Sequence, residues 1–146
     1  MNRAAVVLAL LSLAGCSAPP PALEATDHVL IRSGSDWHGW SERVFVPGDR
    51  LFVETADPAG DNLRRRWIDL PPGSYAAARA AAETHIPNVI RAYIEPEFDC
   101  PTDMSPAWVS VAPPVQGIDM VQAQCADNNY APLAAALAEL IPAEPR

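Results

Sequence analysis

The chain has 146 residues, with 18 acidic side chains against 10 basic ones and a net charge of −8 when histidine is neutral; every basic residue is an arginine. That length suits one domain and leaves little room for two. The acidic balance disfavours nucleic acid and anionic lipid as general partners, and no P-loop or G-x-G-x-x-G motif is present.

The N-terminal segment comes first in chain order. Arg3 is its only charge, an apolar run occupies residues 4–11, and Ser12-Leu13-Ala14-Gly15-Cys16 follows. A positive start, a short apolar stretch and small residues before a cut predict a secretory signal over residues 1–15. The apolar stretch is about half of the roughly 20 residues a membrane span needs. Leu13-Ala14-Gly15-Cys16 resembles the lipobox of bacterial lipoproteins. The resemblance implies a diacylglycerol thioether on Cys16, cleavage after Gly15 and acylation of the new amino terminus. More than one chain is needed because a single acyl chain holds a bilayer only marginally. Ser17, where an aspartate would signal retention, implies sorting to the outer membrane of a Gram-negative envelope, facing the periplasm. The competing reading is an ordinary secretory signal with a coincidental cysteine.

Residues 16–27 then form the lipidated cysteine and a Pro/Ala-rich tether, a composition that buries little and tends to stay extended. The foldable unit is residues 28–142. Export places Cys100 and Cys125 in an oxidising compartment, so a disulfide between them is expected. Closing a loop of about 25 residues contributes on the order of 3–4 kcal/mol by the chain-entropy estimate. A redox pair or a metal site would call for C-x-x-C spacing or two further ligands.

Residues 28–32 read as a strand and the turn-rich residues 33–40 as a loop. Pro47-Gly48 suits a type II turn between strands at 43–46 and 51–54. Residues 57–62 read as a loop and 66–70 as a further strand. After Pro71-Pro72-Gly73, Ser74 is the expected N-cap of a helix over 75–85. Tyr75, Ala78, Ala82 and Ile86 line one face, Arg79 and Glu83 pair on the other, and Pro87 is expected to stop the helix. Residues 89–95 alternate as a strand would, and 97–106 read as a loop pinned by Cys100. A second strand pair is expected at 108–111 and 118–124, with Pro113-Pro114 kept out of any central strand. Asn129 is the expected cap of a last helix with Leu133, Leu137, Leu140 and Ile141 on one stripe, ended by Pro142. The sum is an α+β fold: a single small domain, mostly antiparallel sheet, with two helices packed on one face. This element order resembles small exported bacterial domains such as the emfourin-type metalloprotease inhibitors, which implies inhibition of a periplasmic protease as one alternative function. No inhibitory residue is matched.

The densest cluster of chemical side chains is Ser33, Ser35, Asp36, Trp37, His38 and Trp40. Asp36 and His38 would share a side in extended chain, as a carboxylate orienting a base does. A hydrolase there would also need an exposed elbow and oxyanion donors, and no G-x-S-x-G stands in the chain. Recognition is the better functional reading: Trp37, His38 and Trp40 are the candidate binding residues, since tryptophans concentrate interface energy and can stack on sugars. The bland reading is that both indoles cap the sheet. His28, His38 and His85 lack metal-ligand spacing, so neither metal nor cofactor is expected. Arg64-Arg65-Arg66 can meet lipid phosphates or peptidoglycan carboxylates, or it is a solvated loop or strand end. The function expected is a non-enzymatic binding module of the cell envelope, held to the membrane by its lipid, with an envelope protein or peptidoglycan as partner.

Overall fold

The computed structural model describes residues 19–94, 107–123 and 130–143, with backbone only over residues 90–94. The lipobox with Cys16, both Cys100 and Cys125, the loop at 97–106 and the cap Asn129 lie outside the described residues. Six strands form one sheet: β1 (His28–Ser35), β2 (Gly39–Val46), β3 (Arg50–Ala56), β4 (Arg64–Asp69), β5 (Ala107–Val115) and β6 (Ile118–Ala123). Their order is β4-β3-β2-β1-β5-β6, and every neighbouring pair is antiparallel. Two helices, α1 (Ser74–Ile94) and α2 (Tyr130–Ala138), complete the α+β domain.

The central strands explain the unbroken apolar runs. Val29, Ile31, Phe45, Leu51 and Val53 join the core under the helices, whereas Leu30, Val44, Val46 and Phe52 form a second cluster on the opposite face. A strand covered on both faces has no reason to alternate. β5 does alternate, with Ala107, Val109 and Val111 buried and Trp108 exposed between them.

Four expectations about local structure change. Residues 33–40 are a hairpin rather than a loop, with β1 running through Ser35 and β2 starting at Gly39. Gly34 and Gly39 adopt φ of 103° and 81°, so the turn signal they carry is used to bring two strands together. Pro87 does not stop α1, and residues 89–94 continue the helix instead of forming a strand. Proline inside a helix costs about 3 kcal/mol. Ile86 and Val89 extend the buried stripe of Ala78 and Ala82, and burying two such side chains returns about 1.5–3 kcal/mol each. Tertiary burial outweighs the break. After β4 the chain resumes in the sheet at β5, on the far side of β1, four strand positions from β4. The 21 residues of α1 span about 31 Å, more than the roughly 19 Å of four strand spacings.

Ser74 is not the cap of α1. It is the first helical residue, buried, and its hydroxyl donates to the Pro71 carbonyl at 2.6 Å. The cap comes from the β2–β3 turn, where the Asp49 carboxylate accepts from the backbone N–H of Tyr75 at 2.8 Å and of Gly73 at 2.9 Å. These two donors hold the Asp49 carboxyl below the usual carboxylate range, Tyr75 contributing most. A depressed folded pKa contributes stability that is present above the unfolded value of about 3.9 and is lost as pH falls through the folded one. Asp49→Asn is therefore expected to lower Tm at neutral pH and to flatten the acid limb of Tm against pH. Superimposable acid limbs for parent and variant would refute the cap.

The remaining elements sit close to their expected places. Gly48 takes the positive φ, 82°, that a type II turn asks of it. β4 begins at Arg64, so Arg64-Arg65-Arg66 is strand and its side chains go to alternate faces. Pro113-Pro114 falls inside β5, but pairing with β1 ends at Ala112 and the register with β6 breaks between Ser110 and Val115. The prolines thus occupy an irregularity and not a continuous ladder. In α2, Tyr130, Leu133 and Leu137 are buried; Leu140 and Ile141 follow the helix and still pack on the core.

Candidate functional site

The helices cover one face of the sheet, and the other face is where exposed apolar and charged groups gather. Residues read as a tether lie across part of it. The Trp67 indole N–H donates to the Pro19 carbonyl at 3.2 Å, and Leu23, in a single 3-10 turn (Leu23–Ala25), packs on Leu30, Val44, Val46 and Phe52. Phe52 and Trp67 meet with ring centroids 5.2 Å apart. The strip therefore enters over β4 and runs inward to β1. His28 then pins its end: Nδ1 donates to the Thr26 carbonyl at 2.8 Å, which leaves Nε2 to accept from the Ser110 hydroxyl at 3.1 Å.

One cross-strand row carries most of the charge. Trp108, Arg32, Glu42, Glu54 and Arg65 are register neighbours in β5, β1, β2, β3 and β4. Arg65 and Glu54 form an ion pair. Arg32 turns its guanidinium over the Trp40 ring, 4.2 Å from the centroid, and Arg50 does the same over Trp67, also at 4.2 Å. Glu42, between Arg32 and Glu54 in the register, is half-buried. Burial pushes its carboxyl above the usual range; Arg32 opposes the shift and Glu54 reinforces it. A raised carboxyl pKa means that the ionised form weakens the fold, a penalty absent below the unfolded value of about 4.3 that grows as pH rises through the folded pKa. Glu42→Gln is expected to stabilise at neutral pH by less than about 1 kcal/mol once solvent screening is counted. The gain should vanish in acid, and a denaturant titration at two pH values checks both parts.

Beyond the strip, a groove of about 430 Å³ opens on the β1–β5–β6 side. Leu30, Arg32, Glu42, Trp108, Ser110 and Met120 line it, and Leu23 and Glu24 form the wall on the strip side. Trp108 is 36% exposed and Met120 62% exposed. Searches against protein-family models, curated proteins and solved structures find no match for this chain. An apolar floor, one exposed indole, a flexible methionine and a partly desolvated carboxylate suit non-covalent recognition of an extended segment. The Ser110–His28 pair has the spacing of a nucleophile and base, but Ser110 stands mid-ladder between β1 and β6. Amides committed to a ladder on both sides do not supply an oxyanion hole. Among the described residues, no three His, Cys, Asp or Glu side chains cluster as a metal would require.

The three candidate binding residues are divided by the hairpin. Trp37 stands at the turn, 86% exposed, and His38 beside it shares a hydrogen bond with Ser35 at 3.2 Å between Nδ1 and Oγ. Asp36 uses its backbone carbonyl to hold Ala59, and Trp40 lies on the open face beneath Arg32. None of the three lines the groove. Trp108 and Met120 were missed by sequence reasoning, although the alternation of β5 carried a signal: Trp108 and Ser110 fall on the side opposite Ala107, Val109 and Val111.

Proposed function

We propose that this chain is a non-enzymatic binding module of the bacterial cell envelope, anchored by a lipid on Cys16, facing the periplasm from the outer membrane and stapled by a Cys100–Cys125 disulfide. The anchoring part is supported by the lipobox resemblance and its place at the end of a short apolar run. The binding part is carried by one observation: the sheet face opposite α1 and α2 holds a groove with Trp108 and Met120 exposed at its lip. Monomeric proteins seldom leave a large indole and a thioether side by side without a partner for them. The occupant that fits is an extended segment of another envelope protein, its apolar side chains on Leu30 and Trp108. Peptidoglycan is the alternative occupant that the test also reads.

The test is a photo-crosslinking amino acid at Met120 in living cells, with Ala80 on the exposed side of α1 as the control position. Discrete protein adducts from Met120 and none from Ala80 are expected, and Trp108→Ala should weaken the interaction roughly 30-fold, the effect of losing an indole hot spot. Adducts that are equal from both positions would remove the groove as a binding site. Glycan-linked adducts in place of protein ones would redirect it to peptidoglycan.

A further inference from the structure

We propose that the β4 edge of the sheet, through Arg64 and Arg50, rests on the anionic phospholipid headgroups of the bilayer, which turns the Trp108 groove away from the membrane. This inference rests on the reading of Cys16 as the lipidated residue. The length of chain between lipid and fold then sets the geometry. Pro19 is already held by Trp67 on β4, and Cys16 lies only three positions earlier. Three residues reach at most about 11 Å. From Pro19 the strip runs inward, with Leu23 packed on the cluster of Leu30, Val44, Val46 and Phe52, so the chain reaches the sheet from the β4 side. The β6 edge is five strand spacings, about 24 Å, farther away.

The chemistry of that edge agrees. β3 and β4 carry Arg50, Arg64, Arg65 and Arg66 against Glu54 and Asp69, in a chain whose net charge is −8. Arg65 is engaged by Glu54 on the sheet face. Arg64 is exposed at the start of the strand. Arg50 is stacked on Trp67 and half-exposed, with a loose 3.9 Å contact to an Asp69 carboxylate that is itself 94% exposed. Asp57 and Asp61 lie in the loop that leads into β4, so contact is expected along the strand and not at the loop tip. An indole with arginines beside it is the composition favoured at headgroup depth, and the guanidinium fork matches phosphate oxygens. A docked edge strand is also a protected one, since its outward backbone groups no longer face open solvent.

Hydrogen exchange on the purified lipidated chain, in nanodiscs with and without phosphatidylglycerol, tests this directly. Intact mass first establishes the diacylglycerol on Cys16. Amides of β4 are expected to exchange more slowly in the anionic discs, by about fivefold for each arginine engaged, while β6 exchanges equally in both. The double variant Arg50→Glu/Arg64→Glu should abolish the difference. A second variant carries about 20 Gly and Ser residues inserted between Ala18 and Pro19, a coil spanning roughly 25 Å, and should weaken protection while leaving every side chain of the fold in place. Equal β4 exchange in the two discs, or protection of β6 in its stead, overturns the orientation while the anchor stands. A mass without lipid overturns the anchor and the orientation together.

Discussion

Phe45→Ala is expected to cost about 3–5 kcal/mol, the range for deleting a fully buried aromatic ring. Phe45 is wholly inaccessible, flanked in register by Val29 of β1 and Leu51 of β3, on the sheet face that the helices cover. Domains of this size have about 5–15 kcal/mol in total, so the variant should be partly unfolded at modest denaturant concentration. The comparison with Phe52→Ala is informative. Phe52 is equally buried, but it belongs to the smaller cluster on the open face, closed by Leu23 and Trp67. A site whose lid is a strip of chain can collapse more easily than one between a sheet and two helices, so the loss should be smaller. It should instead loosen the strip, which increased proteolysis at residues 19–26 would register. Urea titrations of the two variants give the ranking, and an equal or larger loss for Phe52→Ala would contradict this division of the core.

Valine at Gly34 or Gly39 is the second large effect. Both glycines have positive φ, a region in which a β-branched residue is an outlier. A Cβ on Gly39 would stand 2.6 Å from the Ala56 carbonyl oxygen, and one on Gly34 would stand 2.7 Å from the Trp40 Cα. These obstacles are backbone and cannot swing aside. Strain alone costs on the order of 1–3 kcal/mol at each position, and relief of the clash requires the β1–β2 hairpin to open. Opening it separates Arg32 from Trp40 and moves β2 relative to the groove floor. Each variant should therefore lower Tm and also change the near-ultraviolet dichroism of the indoles. Gly48→Ala in the β2–β3 turn shares the positive φ but meets nothing within 4 Å, so it isolates backbone strain from collision. If Gly39→Val melts like Gly48→Ala, the close approach of β2 to Ala56 is not what the glycine is for.

The Arg64-Arg65-Arg66 run shows why a motif can be visible while its meaning is not. Three adjacent arginines look like one basic patch, yet a strand sends neighbours to opposite faces, and Arg65 is spent on Glu54. The tether is a similar case. Composition alone makes residues 16–27 a spacer, because prolines and alanines bury little. What holds residues 19–26 on the sheet is a bond from Trp67 and a pocket for Leu23, both supplied by distant parts of the chain.

By itself, the sequence determined the fold class, most strands, the β2–β3 turn and the existence of both helices, because those depend on neighbours within a few positions: the two-residue period of a strand, the torsions that proline and glycine allow, and the i, i+4 stripe of a helix. Tertiary structure decided the rest. Pro87 is carried through α1 because Ile86 and Val89 find a core to enter. Asp49 displaces Ser74 as the cap because a turn from another hairpin reaches the helix. The groove exists because β5 pairs with β1 and β6 with β5, which brings Trp108, Ser110 and Met120 beside Leu30, Arg32 and Glu42. Each of those outcomes is a contact between segments far apart in the chain, and the energy that selects it comes from burial and cross-strand packing, which no local pattern encodes.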